Sequence, residues 1–303
     1  MTGTAILAPT LLALGAAFCF ALALILTQYG LRSVPSWRSP IYTIGSSMIA
    51  AWLGALLFVD WRGFDWRAAL IFAGVGCVFP VVVSILSVRS NERLGPAVAG
   101  AAGNVTPLFA VLFAVLLLGE RIGLGQVAGL VLVVAGVALM ALRGGAGGRR
   151  WSVWVLALPL AAALVRGAIQ PAIKSALAIW HEPLAAAAIG YSLSTIVILS
   201  LAGRRALAAG PPDRIGRLWF IAVGMSNGTA TFLLYAALGL GSIAVEAPLV
   251  AVFPLIAVVL SYFLLRDERL HAIGLLGIVV SVAGVVLLLV GTCWWRKSGE
   301  MSA

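Results

Sequence analysis

Residues Leu94–Met140 read LGPAVAGAAGNVTPLFAVLFAVLLLGERIGLGQVAGLVLVVAGVALM, and residues Leu240–Leu288 read LGSIAVEAPLVAVFPLIAVVLSYFLLRDERLHAIGLLGIVVSVAGVVLL. Each stretch opens on Leu-Gly, carries a proline inside a long apolar run, turns at a charged hinge ending Glu-Arg, and closes on a second apolar run containing Ala-Gly-Val. Pro107 matches Pro254, Glu120-Arg121 matches Glu268-Arg269, and Ala135-Gly136-Val137 matches Ala283-Gly284-Val285. The chain therefore contains a duplicated unit of roughly 148 residues, and the repeat governs every later assignment.

The composition places this repeat in a membrane. Hydrophobic residues make up 62% of the chain, charged residues 10%, and the mean hydropathy is +1.11. A soluble globule is about half apolar and about a quarter charged. The net charge of +10 is not a nucleic-acid signature, because the 20 Lys and Arg stand singly or in pairs between apolar runs, as membrane-flanking residues do. Cys19, Cys77 and Cys293 have no metal-ligand spacing, and His181 and His271 lie beside charged connections, so neither a metal nor a cofactor is expected. The N-terminal MTGTAILAPTLL lacks the basic start and cleavage-like boundary of a secretory signal and reads as the beginning of a retained helix.

A bilayer crossing needs about 20 mostly apolar residues. Ten runs qualify: Ile6–Leu31, Ile41–Val59, Ala68–Val88, Pro96–Leu118, Leu124–Leu142, Val153–Ile179, Pro183–Leu201, Leu218–Leu238, Ile243–Leu265 and Ala272–Thr292. The Gly/Arg-rich segment 143–150 divides the chain into five-helix repeats 1–142 and 151–303. An odd number of crossings per repeat makes the second copy enter from the opposite face. The predicted fold is an all-α polytopic membrane protein, with ten transmembrane helices as two inverted five-helix repeats around a central cavity. Six basic residues fall on the face bearing both termini and thirteen on the other, which by the positive-inside rule places both termini outside the cytoplasm.

The mid-helix proline, the Gly-Glu-Arg or Asp-Glu-Arg hinge and the glycine-rich helix after it, repeated twice in a ten-helix chain, resemble the drug/metabolite transporter superfamily, EamA type. The resemblance implies a secondary transporter, commonly an exporter of amino acids or other small metabolites, of which the YddG-type amino-acid exporters are one branch. It also implies both termini in the cytoplasm, opposite to the arginine count, and a cavity lined by the first, third, fourth, sixth, eighth and ninth helices.

Ionisable groups inside hydrocarbon cost about 2.5–3.5 kcal/mol each on insertion scales, so each one asks for a purpose. Arg166, Gln170 and Lys174 follow an i, i+4, i+8 spacing on one face of the sixth helix; Asn227, Thr231 and Tyr235 do the same on the eighth. At 1.5 Å per residue, Lys174 and Glu246 both lie about 8–10 Å inside the terminus-bearing face, and Arg166 about 12 Å deeper than Lys174. Lys174 is therefore expected to pair with Glu246, leaving Arg166 for a substrate carboxylate or phosphate. The alternative is a purely structural Arg166–Glu246 bridge. Pro107 and Pro254 are expected to kink their helices, for gating or only for packing. Asn104 is a candidate for a substrate or interhelical hydrogen bond, and Phe18 and Phe79 are the candidate cavity aromatics. The hinge acids Glu120 and Glu268 read as solvated partners of the adjacent arginines, and Gly129, Gly136, Gly277 and Gly284 as helix-packing positions.

The residues and the resemblance together imply a multi-pass protein of the cell (inner) membrane, expected from the resemblance to export an amino acid or related zwitterion or organic anion by alternating access, as a monomer, with protons or a counter-substrate as coupling partner and no nucleic-acid partner. A proton-coupled exporter of organic cations using Glu246 and a non-transporting membrane scaffold are the alternatives. An intramembrane enzyme would need a nucleophile with a base in reach, and no span carries a His or Asp to serve.

Overall fold

The computed structural model describes residues 4–94, 105–120, 122–142, 153–210, 213–264 and parts of a helical segment between 276 and 287. Asn104, Arg121, Glu268 and the 143–150 segment lie outside the described residues. The described helices are α1 (Thr4–Gly30), α2 (Ser39–Phe58), α3 (Trp66–Val78), α4 (Val81–Leu94), α5 (Thr106–Leu118), α6 (Leu124–Leu142), α7 (Ala157–Ile179), α8 (Pro183–Ala208), α9 (Arg214–Leu240), α10 (Ile243–Val250) and α11 (Phe253–Leu264).

Their ends follow from local chemistry. Asp65 accepts the amides of Arg67 and Ala68 at 2.8 and 3.1 Å and starts α3, Asp213 accepts Gly216 N at 3.2 Å and starts α9, and Ser242 accepts Ala244 N at 3.2 Å and starts α10. α5 stops because Gly119 takes the left-handed conformation, φ 65°, and folds the next amide, that of Glu120, back onto Ala114 O at 3.2 Å.

Among the described residues, five stretches are long and apolar enough to cross a membrane: Leu7–Gly30, Ser39–Phe58, Trp66–Leu86, Pro183–Ala206 and Arg214–Leu240. Among the described residues, the expected crossings are thus not all present as single long helices. The fourth and ninth expected runs contribute the shorter Thr106–Leu118 and Ile243–Ala257, and the sixth, α7, is diluted by Arg166 and Lys174. The position of Pro254 accounts for part of this. α5 begins with Pro107 in its first turn, and α11 begins with Pro254 in its first turn, just after the Ala251–Val252 turn that separates it from α10. At Pro254 the expected kink is a full break: proline lacks an amide to continue the ladder, while its fixed φ suits the start of a new helix.

The packing is that of a protein solvated by lipid. Small residues fill the interior, with Ala13, Ala16, Ala17 and Ala21 of α1 and Ala185–Ala188 of α8 all at or below 1% exposure, while Leu57, Phe58, Leu116 and Leu117 face outward. Lipid tails are as apolar as leucine, so association relies on close backbone approach and interhelical hydrogen bonds, which small residues permit. At Gly284, a Cβ would lie 2.7 Å from Val133 N and 2.8 Å from Gly129 O, so two of the repeat glycines do serve close helix contact. Just after the C-terminal end of α7, Trp180 is ringed by Trp61, Phe64 and Phe72, with centroids 5.2–6.2 Å away.

The closest packing runs between the halves, and it recurs with the halves exchanged. α1 packs on α9 as α3 and α4 pack on α7; α2 packs on α9 as α3 packs on α8; α5 packs on α7 as α1 packs on α10 and α11. Single atoms repeat the pattern. Ser47 donates to Gly224 O at 2.7 Å and Ser194 donates to Gly76 O at 2.7 Å. Ser47 and Ser194 stand 147 residues apart, and Gly76 and Gly224 stand 148 apart, the repeat length read from Pro107 and Glu120.

Candidate functional site

Between the halves lies a small cavity of about 10 Å³, room for about one water molecule. Val75, Gly76, Phe79 and Pro80 line it from the first half, and Ala187, Gly190, Tyr191, Thr231 and Tyr235 from the second. Both helices enter it through glycines: a Cβ on Gly76 would lie 2.3 Å from Gly190 O. Thr231 and Tyr191 share a hydrogen bond of 2.7 Å between hydroxyls, and Thr231 also donates to Asn227 O at 2.9 Å. Tyr235, 5% exposed, closes the same wall. The walls are thus apolar or hydroxylic, with rings from both halves, which suits a small solute with an apolar body and polar groups.

Three of the expected residues, Phe79, Thr231 and Tyr235, meet at this cavity, with Asn227 one turn from Thr231 contributing its carbonyl. Phe18 does not join them. It is 48% exposed, because the buried stripe of α1 is made by Ala13, Ala16, Ala17 and Ala21 and the side chain at position 18 points the other way. Gln170 is buried on α7, and its Oε1 has no hydrogen-bond partner. Arg166, four residues earlier on the same face, is partly buried and engaged by a partner.

The second polar group is a lock between α7, the turn after α5 and the start of α10, and it corrects the expected pairing of Lys174 with Glu246. The Lys174 ammonium donates to Glu120 Oε1 at 2.6 Å and to Gly241 O at 2.6 Å. Glu120 is no solvated hinge acid: its side chain is 13% exposed and also accepts from Ser242 Oγ at 2.7 Å, Ile243 N at 3.2 Å and Ala244 N at 3.2 Å. A carboxylate on the first amides of α10 meets the positive end of that helix. Burial alone would push the Glu120 carboxyl upward. The hydrogen bonds from Lys174 and Ser242, the Lys174 charge and the Ile243 amide outweigh it and hold the group below the usual carboxylate range. Depth matched Lys174 to Glu246, yet the left-handed turn at Gly119 delivers Glu120 to the same level with better geometry. Glu246 lies beside the lock, 2% exposed, with Oε2 lacking a hydrogen-bond partner.

Two groups escaped the sequence reading. Tyr191 sits in an apolar run that could face either way, and only the tertiary contact with Thr231 turns it inward. Ser47 and Ser194 carried a usable signal, since their spacing equals the repeat and a hydroxyl kept in both copies of a buried helix is an interhelical donor.

Comparisons with known proteins agree with this architecture. The model described as "EamA-like transporter family" matches residues 7–142 and again residues 152–290. A curated relative from Streptantibioticus cattleyicolor, described as a "Probable terminal-alkyne amino-acid exporter", is 40% identical over 74 residues; the match spans 24% of this chain and 24% of that protein, about a quarter of its length. A solved crystal structure superposes with a TM-score of 0.76 at 17% identity, covering 92% of this chain and 95% of that one, a likeness of fold. Matched by the same model once in each half, this multi-pass membrane chain belongs to the EamA-like transporter family.

Proposed function

We propose that the protein exports a small zwitterionic or anionic metabolite, an amino acid or a close relative, across the cell membrane by alternating access. The working parts are two inverted five-helix halves, 1–142 and 151–303, joined by the 143–150 segment. The observation that carries this reading is the cavity whose walls come from both halves, with the Tyr191–Thr231 hydroxyl pair on one side and Phe79 and Pro80 on the other. A cavity of about 10 Å³ is too small for an amino acid, and the Lys174–Glu120 lock closes one face, so the arrangement corresponds to a closed state in which substrate passage needs the halves to part. Symmetry-related contacts support rocking, because exchanging the halves exchanges one set of contacts for its mate.

In this reading Thr231, Tyr191, Tyr235 and Asn227 bind the polar groups of the substrate, Phe79 its apolar part, and Arg166 and Gln170 its carboxylate from α7, guanidinium being suited to bidentate recognition. The relative described as an amino-acid exporter supports the substrate class. Liposomes reconstituted with the purified full chain and preloaded with a panel of labelled amino acids and, separately, organic cations test it. Saturable amino-acid flux that Arg166→Lys abolishes without loss of folding is the expected result. Flux of cations alone, or no flux of either class from correctly folded protein, would overturn it.

A further inference from the structure

Glu246 stands out among the buried groups for which the substrate cavity supplies no role. It lies in the first turn of α10, is 2% exposed, and its Oε2 has no hydrogen-bond donor. Its Oε1 lies against Gly241: a Cβ there would fall 2.5 Å from Oε1. The carbonyl of that same Gly241 accepts from Lys174 at 2.6 Å. One residue, Gly241, therefore separates the Lys174 ammonium from the Glu246 carboxyl. Among the described residues, Lys174 on α7 and Glu120 after α5 are the charged groups bonded to the 241–244 segment that leads into Glu246. The faces of α1, α5, α6 and α9 packed on α10 present Ala13, Val111, Leu130 and Ala237. An ionised carboxylate in this position would be a buried charge without a donor, whereas a protonated one is neutral. The other copy of the repeat has Thr27 where Lys174 stands and a small residue near Ala99 where Glu246 stands, so this charged triad belongs to one face only.

We propose that Glu246 is a proton-binding site and that Lys174 is shared between Glu246 and Glu120. With the proton on Glu246, Lys174 binds Glu120 and ties α7 to the turn after α5, closing the terminus-bearing face. When the proton leaves the Glu246 carboxyl for water at that face, the new carboxylate draws Lys174 from Glu120. Glu120 then keeps the α10 amides as its partners, and the tie between α7 and the α5 turn is released. Only one O–H bond breaks and one forms in water; Lys174 stays an ammonium throughout. The proposal rests on the transport reading for what passes the opened face, and it names the proton as the coupling ion.

Infrared titration of the full chain in lipid nanodiscs decides it without any substrate. The expected result is a protonated-carboxyl C=O band that disappears as the pH is raised through roughly 5 to 9, is missing in Glu246→Gln, and in Lys174→Met disappears about one pH unit or more higher because the receiving cation is gone. A band that survives in Glu246→Gln, a folded wild type without such a band, or a midpoint indifferent to Lys174→Met overturns the proposal. Should Glu246→Gln not fold, Glu246→Asp takes its place: a displaced band frequency supports the assignment and an unmoved one overturns it. Failure of the flux panel with this titration intact would sink the transport reading alone.

Discussion

Ser47 donates its hydroxyl to the carbonyl of Gly224 at 2.7 Å, and its repeat mate Ser194 donates to Gly76 at the same distance. The donors lie on α2 and α8, the acceptors on α9 and α3, so each bond crosses between the halves. Interhelical hydrogen bonds in membranes contribute about 0.6–1.7 kcal/mol each. Ser47→Ala and Ser194→Ala should therefore each lower stability by about 1 kcal/mol, as read from unfolding in detergent micelles. The acceptor glycines should be less forgiving. A Cβ on Gly224 would lie 1.9 Å from Ser46 Oγ and 2.3 Å from Thr43 O, and the second contact is backbone. Gly224→Ala and Gly76→Ala should lose more than twice as much as the serine variants; equal losses would show that the close approach is not needed.

Removing one partner of the Lys174–Glu120 pair leaves a charge in a partly buried site. Lys174→Met and Glu120→Gln are each expected to cost about 2 kcal/mol, below the 3–5 kcal/mol of a fully buried pair because the side chains keep 25% and 13% of their exposure. The double variant should cost less than the two losses added together, by about 1 kcal/mol or more. Strict additivity in the thermodynamic cycle would mean that the two groups do not act on each other.

The same pair sets a pH dependence. Glu120 is held below the usual carboxylate range in the folded chain, so its contribution is present above the unfolded value of about 4.3 and is lost as the pH falls through the depressed folded value. The gap in melting temperature between wild type and Glu120→Gln should be full at neutral pH and close on acidification below that range. A gap that stays constant down to the acid limit would contradict this account of Glu120.

Gly119 has φ 65°, where a Cβ is disfavoured by roughly 1–2 kcal/mol. Gly119→Ala should lose about that much stability and also weaken the lock, since the turn aims Glu120 at α10. Gly119→Asn, a residue that tolerates the left-handed region, should restore most of both. Alanine behaving like wild type would show that the turn is set elsewhere.

Tyr191→Phe keeps the ring beside the cavity and removes the hydroxyl bonded to Thr231. If the chain transports the amino acid proposed above, a lost hydrogen bond of about 0.5–1.5 kcal/mol corresponds to roughly a twofold to thirteenfold rise in its KM, with folding intact. An unchanged KM would remove Tyr191 from the substrate site.

Much of this protein was legible before any coordinates. Apolar run lengths and small-residue stripes follow directly from what a bilayer demands, and the position of Pro254 announces the break between α10 and α11. The repeat spacing also contained Ser47 and Ser194, although a hydroxyl in an apolar run draws little notice without its acceptor. Phe18 illustrates the limit: an aromatic on a helix assigned to the cavity still has to fall on its inward stripe, and alanines occupy that stripe.

The sequence by itself determined a duplicated, membrane-solvated bundle of helices, because period, run length and hydropathy are properties of the chain alone. Tertiary structure decided which polar groups meet. Lys174 had two carboxylates within reach of its depth, and the choice fell to Glu120 because a left-handed glycine turn and four donors, Lys174, Ser242 and the amides of Ile243 and Ala244, converge there. Pairing in a low-dielectric interior depends on ångström-scale geometry contributed by segments far apart in the chain, and spacing along one helix carries no record of it.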